Sequence, residues 1–365
     1  MNRLYSRDSG IVYILCYVMM FLVQLVFLLA ENNKDAYFLF KIMVANQIVF
    51  IAVTYIYLSY RKINPVKSAG FNRKLNAKQI LMLPLITALT LAASAPLAMI
   101  FAYILLKTGY VSDAALPDIY GLKNFIAAFV VIAVLPPIGE EFLFRNAVMK
   151  GLKKRGYVFA MIVSSILFSL MHASPEQLIH QFFVGMVLAF VMLVTGNLLA
   201  PMLIHFCNNF FALLLEYTPF NKIDLSKDVL LAILIGMTLI FSVLLIIALK
   251  RFLVVERVKR NANISDTEKR NFINEYFYTA KSMVKFIFSR KYRKQCYDNY
   301  NAVLGGLDYE TSIEDKVDDV VGKLLDGERS LSELESLYPV KFAILGSFFM
   351  VVTSLIFGYF TNLIA

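Results

Sequence analysis

The sequence predicts an all-α, polytopic transmembrane bundle of about nine spans with a small helical cytoplasmic insertion. Three observations predict it. The 365 residues are 59% hydrophobic and only 17% charged, where a soluble domain carries about 25% charged residues. Mean hydropathy is +0.66. The apolar residues also come in long runs, of the order of the ~20 residues that cross a hydrocarbon core, and basic clusters punctuate them. Together these exclude an ordinary soluble enzyme, a disordered tail and a nucleic-acid-binding module.

The runs lie near 11–29, 38–60, 79–106, 124–149, 157–173, 178–195, 198–217, 229–249 and 342–363. The first follows Arg3 and Arg7 and lacks a small-residue cleavage site after it, so a retained anchor is expected rather than a removed signal peptide. The chain has no Trp, and its 20 Tyr and 31 Phe must serve the membrane interfaces, as at Tyr55, Tyr57 and Tyr60. Basic clusters set the topology. Arg3 and Arg7 precede the first span, and Arg61 to Lys78 follow the second. Lys150 to Arg155 follow the fourth, and Lys250 to Arg260 the eighth. All fall on one side if the spans alternate, which predicts a cytoplasmic N-terminus, a multi-pass protein of the cell membrane and a C-terminus outside.

Residues 250–340 read differently. From 250 to 300 there are 13 basic and 5 acidic residues, and from 301 to 340 there are 3 basic and 10 acidic. Ser265-Asp-Thr-Glu268 and Ser330-Leu-Ser-Glu333 are capping boxes. The first opens an amphipathic pattern through Phe272, Ile273, Tyr276, Phe277, Ala280 and Val284, and a second pattern runs from Ile313 to Leu325. The basic half could rest on anionic lipid, or the segment could be a solvated helical linker. The expected organisation is therefore N-terminal spans and a basic loop over 1–78, a core over 79–250, the insertion over 251–340 and a final span over 341–365. Cys16, Cys207 and Cys296 are expected as free thiols.

Charge is expensive inside a membrane, about 2.5–3.5 kcal/mol at a helix centre, and most spans avoid it. The fourth does not. It reads Leu135-Pro-Pro-Ile-Gly-Glu140-Glu141-Phe-Leu-Phe-Arg145. The fifth ends Phe168-Ser-Leu-Met-His172, and the seventh holds His205-Phe-Cys-Asn-Asn209. Two of the chain's three histidines sit in these places. Pro136 and Pro137 are expected to open a new helix, with Glu140 and Glu141 in its first turn or so. Glu141 and Arg145 pair at i, i+4, which leaves Glu140 about 100° round the helix. Phe168 and His172 share a face, as do His205 and Asn209. At ~1.5 Å of rise per residue, the three motifs converge near the midplane.

Paired carboxylates, imidazoles and a carboxamide suit hydrolysis of an amide by activated water, without a covalent intermediate. Glu140 is the candidate general base. His172 would orient the water or shuttle its proton, and His205 with Asn209 would face a developing oxyanion. Glu141, Arg145 and Phe168 support them. His180 reads as interfacial and Asn208 as packing. The absence of His-Glu-x-x-His argues against a zincin, and the absence of Gly-x-Ser against a rhomboid-like serine protease. No cofactor is expected, although two histidines and a glutamate leave a bound metal open.

In order, on spans four, five and seven, Glu-Glu-x-x-x-Arg (140–145), Phe-x-x-x-His (168–172) and His-x-x-x-Asn (205–209) resemble the three motifs of the CPBP family. These are the CAAX-protease and bacteriocin-processing membrane proteins, also called Abi. Flanking residues agree, from Pro-Pro before the acidic pair to Thr195-Gly-Asn-Leu-Leu-Ala-Pro201 before His205. The resemblance covers roughly residues 80–217, and Asn146 departs from the Gly usual after the Arg. It implies an intramembrane glutamate endopeptidase of bacterial origin. Its substrate would be a membrane-associated peptide or lipidated protein, its setting the lipid bilayer, and a membrane or cell-envelope protein its further partner. Nucleic acid is not expected. The rival expectation is a non-proteolytic scaffold or bacteriocin-immunity protein, and a proton- or ion-coupled transporter ranks below both.

Overall fold

The computed structural model describes residues 3–30, 37–110, 119–217, 227–259, 272–307 and 335–364. All nine apolar runs are helices. They are α1 (Ser6–Ala30), α2 (Phe38–Tyr60), α4 (Ala77–Lys107), α5 (Leu122–Arg155), α6 (Tyr157–Met171), α7 (Leu178–Thr195), α8 (Leu199–Tyr217), α9 (Lys227–Lys259) and α12 (Tyr338–Ile364). The one-turn helix α3 (Pro65–Ser68) lies in the loop after α2, and α10 (Phe272–Phe288) and α11 (Arg290–Leu307) precede the last span. No strand occurs among the described residues. The chain is therefore an all-α, multi-pass membrane bundle.

Seven of the helices are long and apolar enough to cross a membrane, and α6 and α8 are the two short ones. That refines the count of nine full spans. The 15 residues of α6 extend only ~22 Å, less than a ~30 Å hydrocarbon core. Both capping boxes of the insertion, and the 313–325 pattern, lie outside the described residues. The helix expected from Phe272 is α10.

The basic clusters gather at one end of the bundle. There the Tyr57 hydroxyl donates to Asp8 Oδ1 at 2.7 Å, and Arg61 Nε lies 3.5 Å from the same oxygen. Asn146 Nδ2 donates to the Pro65 carbonyl at 3.1 Å, Asn197 Nδ2 to the Arg73 carbonyl at 2.6 Å, and the Val158 N–H to Asn301 Oδ1 at 2.8 Å. Gln79 bonds Glu256 and Arg155 bonds the Glu335 carbonyl at this same end. At the other end the Tyr37 hydroxyl donates to Asn124 Oδ1 at 3.1 Å, and the Tyr110 hydroxyl to Glu176 Oε2 at 2.8 Å. The nine helices thus alternate in direction, as the charges require.

The last helix returns to the first. Tyr13 and Ser347 share a hydroxyl–hydroxyl bond of 2.7 Å, and Gly10 lets α1 touch the backbone at Pro339 and Val340. A Cβ at Gly10 would strike main-chain atoms that move only with their helix. Gly10→Ala is therefore expected to cost about 1–3 kcal/mol, read as a lower thermal unfolding midpoint in detergent. An unchanged midpoint would mean that α1 and α12 are not in contact.

Candidate active site

The site begins with a backbone problem in α5. Pro136 and Pro137 have no N–H, so the helix cannot close its usual ladder there. The sequence expectation was a fresh helix start. Instead the helix continues, because a π-helical turn over Phe129–Val134 absorbs the break, and the Leu135 N–H reaches the Val130 carbonyl five residues back. Glu140 and Glu141 consequently sit in mid-helix rather than in a first turn. The Ile132 carbonyl is doubly deprived, since the residues four and five positions on are both proline. Asn209 Nδ2 supplies the missing donor at 2.9 Å. The amide of the third motif thereby ties α8 to the kink that presents the first.

Arg145 lies in a second π-helical turn, Phe144–Val148. It and Glu141 are fully buried. Arg145 Nε is 3.1 Å from Glu141 Oε2, its Nη2 donates to the Gly185 carbonyl at 3.1 Å, and its guanidinium lies 4.6 Å from the Phe168 ring centroid. The other oxygen of Glu141 accepts from His205 Nδ1 at 2.9 Å. One buried carboxylate thus engages a cation on its own helix and an imidazole from α8.

With Nδ1 turned to Glu141, the His205 ring aims Nε2 at Glu140 Oε2, 4.0 Å away. Glu140 Oε1 accepts from Gln47 Nε2 at 3.2 Å, and Oε2 has no hydrogen-bond partner among the described residues. His172 caps the C-terminus of α6. Its Nδ1 donates to the Phe168 carbonyl at 2.9 Å, which leaves Nε2 as the acceptor of the neutral ring. No hydrogen bond joins His172 to either carboxylate. It reaches the cluster through the Phe168 ring, whose centroid is 5.1 Å from that of His172 and 5.8 Å from that of His205.

The three motifs thus meet around Phe168 and the Glu140–Glu141 pair. Asn208 is buried and donates from Nδ2 to Asn209 Oδ1 at 3.2 Å, so it helps to orient that amide. His180 is half-buried and bonds Ser94 Oγ through Nδ1 at 3.0 Å. Asn146, the departure from glycine, is buried and ties α5 to the α3 turn. It accepts from Ser68 Oγ at 3.0 Å and Lys150 Nζ at 2.9 Å while donating to Pro65. No group of three or more His, Cys, Asp or Glu placed to hold one metal ion occurs among the described residues. Sequence reasoning missed Gln47. Its trace in the sequence is faint, the Asn46-Gln47 amide pair that interrupts an apolar span.

Comparison with known proteins agrees with the motifs. Residues 122–211, which hold all three, match the family model described as type II CAAX prenyl endopeptidase Rce1-like. The Bacillus subtilis (strain 168) protein named "Putative membrane peptidase YdiL" is 26% identical over 108 residues, which span 29% of this chain and 44% of that protein. The chain thus spans less than half the length of this relative. No solved structure matches. The resemblance to the CPBP family is borne out, and 122–211 is the segment that carries it.

Breaking a buried ion pair strands the remaining charge, at a cost of about 3–5 kcal/mol. Arg145→Met is expected to lower the thermal midpoint in detergent accordingly, and Glu141→Gln in the same chain to recover part of the loss. A single variant as stable as the parent would show that the pair is not what holds α5.

Proposed function

We propose that the chain is a membrane-embedded, CAAX-protease-like endopeptidase in which Glu140 activates water. The observation that carries this reading is the asymmetry of the Glu140 carboxylate. One oxygen is held by Gln47, and the other is buried, unpartnered and turned toward His205 Nε2. Such an oxygen is placed to take a proton from water.

In this scheme a water bound to Glu140 Oε2 loses a proton to that oxygen, and the resulting hydroxide adds to the scissile carbonyl. His172 Nε2 is an acceptor suited to orienting the water or relaying its proton. The oxyanion that forms is received by His205 Nε2–H and by the Asn209 N–H not used on Ile132. His205 can donate from Nε2 only as the imidazolium, because its other proton already faces Glu141. Glu141 is already paired with Arg145. In this scheme the imidazolium is therefore balanced by the Glu140 carboxylate before reaction and by the oxyanion once Glu140 has taken the water proton, which leaves no uncompensated ion in the apolar core. Collapse of the intermediate breaks the C–N bond, and the proton passes from Glu140 to the leaving amine.

The setting defines the substrate class. Carboxylates this deep in an apolar bundle are reached by a chain already in the bilayer, that is, a membrane-associated peptide or lipidated protein. The basic end faces the cytoplasm on this reading, with the N-terminus there and the protein in the cell membrane of a bacterium. On the same reading 251–340, of which α10 and α11 are described, is a cytoplasmic insertion beside the core of 79–250.

A positioned general base contributes about 10²–10⁴-fold. Glu140→Gln is therefore expected to lose cleavage by that factor while the protein still inserts and unfolds at the same temperature. The check compares small membrane-associated peptides in cells carrying the parent or the variant, followed by assay of any affected peptide in proteoliposomes. An identical peptide profile with the phenotype kept would replace the enzyme with the scaffold reading.

A further inference from the structure

We infer that Gln47 of α2 is a positioning residue for Glu140, and that Gly139 is the seat that admits it. The inference rests on the reading of Glu140 as the general base. Gln47 lies outside the segment that matches the family model, in an N-terminal span to which no part in the chemistry is assigned.

One end of its amide is bonded to α5, and the other packs over it. Nε2 donates to Glu140 Oε1 at 3.2 Å. Oε1 lies over Gly139, where a Cβ would come within 2.5 Å of it, and the Gln47 carbonyl and Phe50 Cβ also close on that spot at 3.2 and 3.4 Å. Only a residue without a side chain lets the amide settle there.

Packing does not explain an amide at this place. Gln47 is 7% exposed, and its Oε1 is buried with no hydrogen-bond partner. A methionine of similar length would fill the space with no unsatisfied oxygen, so the amide costs stability where it sits. What it provides is the bond to Glu140. The terminal torsion of a glutamate is broad, and a carboxylate free to turn presents either oxygen to water. Holding Oε1 leaves Oε2 facing His205 Nε2, the arrangement that hydrolysis needs. Gln47 acts through Glu140 and need not touch the substrate.

The test uses the full chain. Peptides whose cleavage in cells disappears in Glu140→Gln are the products of the enzyme, and one of their precursors serves as substrate in proteoliposomes. Gln47→Met is expected to lower kcat by about 10²-fold, the scale of a misplaced catalytic group, with KM unchanged and a thermal midpoint equal to or above that of the parent. A purely structural residue would give the opposite pattern, a lower midpoint with kcat kept. Gly139→Ala, which pushes the amide off its seat, is expected to lower kcat as well. Combined with Gln47→Met it should add little further loss, since both remove one interaction. Full kcat in Gln47→Met beside an inactive Glu140→Gln overturns the inference and leaves the proposed function standing. Peptide profiles that do not change in Glu140→Gln remove the proposed function, and this inference with it.

Discussion

The cost of burying charge in an apolar bundle is the constraint from which the site's architecture follows. Glu141 has no exposure to solvent, yet it sits in the middle of a long apolar helix. Desolvation of an ionised carboxylate costs several kcal/mol even after relaxation, so its partners must come to it. Arg145 arrives from the next turn, and His205 from a different helix. Arg145 then has its own charge to satisfy, and does so on the Gly185 carbonyl and the Phe168 ring. One buried ion therefore recruits α5, α6, α7 and α8. Every group proposed for the chemistry except Gln47 lies on one of those four helices.

Much of this was legible in the sequence, because the constraint acts on residue type. Charged and imidazole groups are so unfavourable in hydrocarbon that their presence in three spans pointed to one cluster, and i, i+4 spacing gave the Glu141–Arg145 and Phe168–His172 pairs directly. The alternation of basic clusters likewise anticipated which helix ends meet, and the Tyr57–Asp8, Asn146–Pro65 and Asn197–Arg73 bonds now join those ends. The course of the backbone at Pro136-Pro137 was not legible. A proline pair reads as a helix start by local rules, and only a donor from a helix some seventy residues away decides otherwise. Asn209 fills that role at Ile132, so the break becomes a π-helical turn inside a continuous helix. Gln47 escaped for a related reason. A neutral amide in an apolar span is too cheap to stand out until the structure shows the carboxylate that it faces.

The two short helices also had to await the fold. A run of apolar residues predicts a span, but α6 is too short to cross a full hydrocarbon core. His172 sits at its C-terminus, and Ala173, at φ +49°, turns the chain away. The α7–α8 turn is tight. At Gly70, φ +72°, a Cβ would strike the Gly196 carbonyl oxygen, and at Gly196, φ +63°, it would meet the Arg73 guanidinium. The Leu198 N–H bonds the Ala69 carbonyl at 3.0 Å.

His205 reaches Glu141 from only the second turn of α8, so the position of the α7–α8 turn sets the position of the imidazole. Irregular backbone that is buried needs protein to satisfy its polar groups. Here the loop after α2 provides the cover. Asn197 is buried and donates to Arg73, and its own Oδ1 accepts from the Leu199 N–H at 2.8 Å, capping α8. The basic loop after α2 therefore also covers the turn that sets the position of the imidazole. The N-terminal spans contribute twice over, Gln47 from within α2 and the α7–α8 cover from just beyond it. A site whose motifs all lie between 140 and 209 is thus held in register by chain that precedes residue 80.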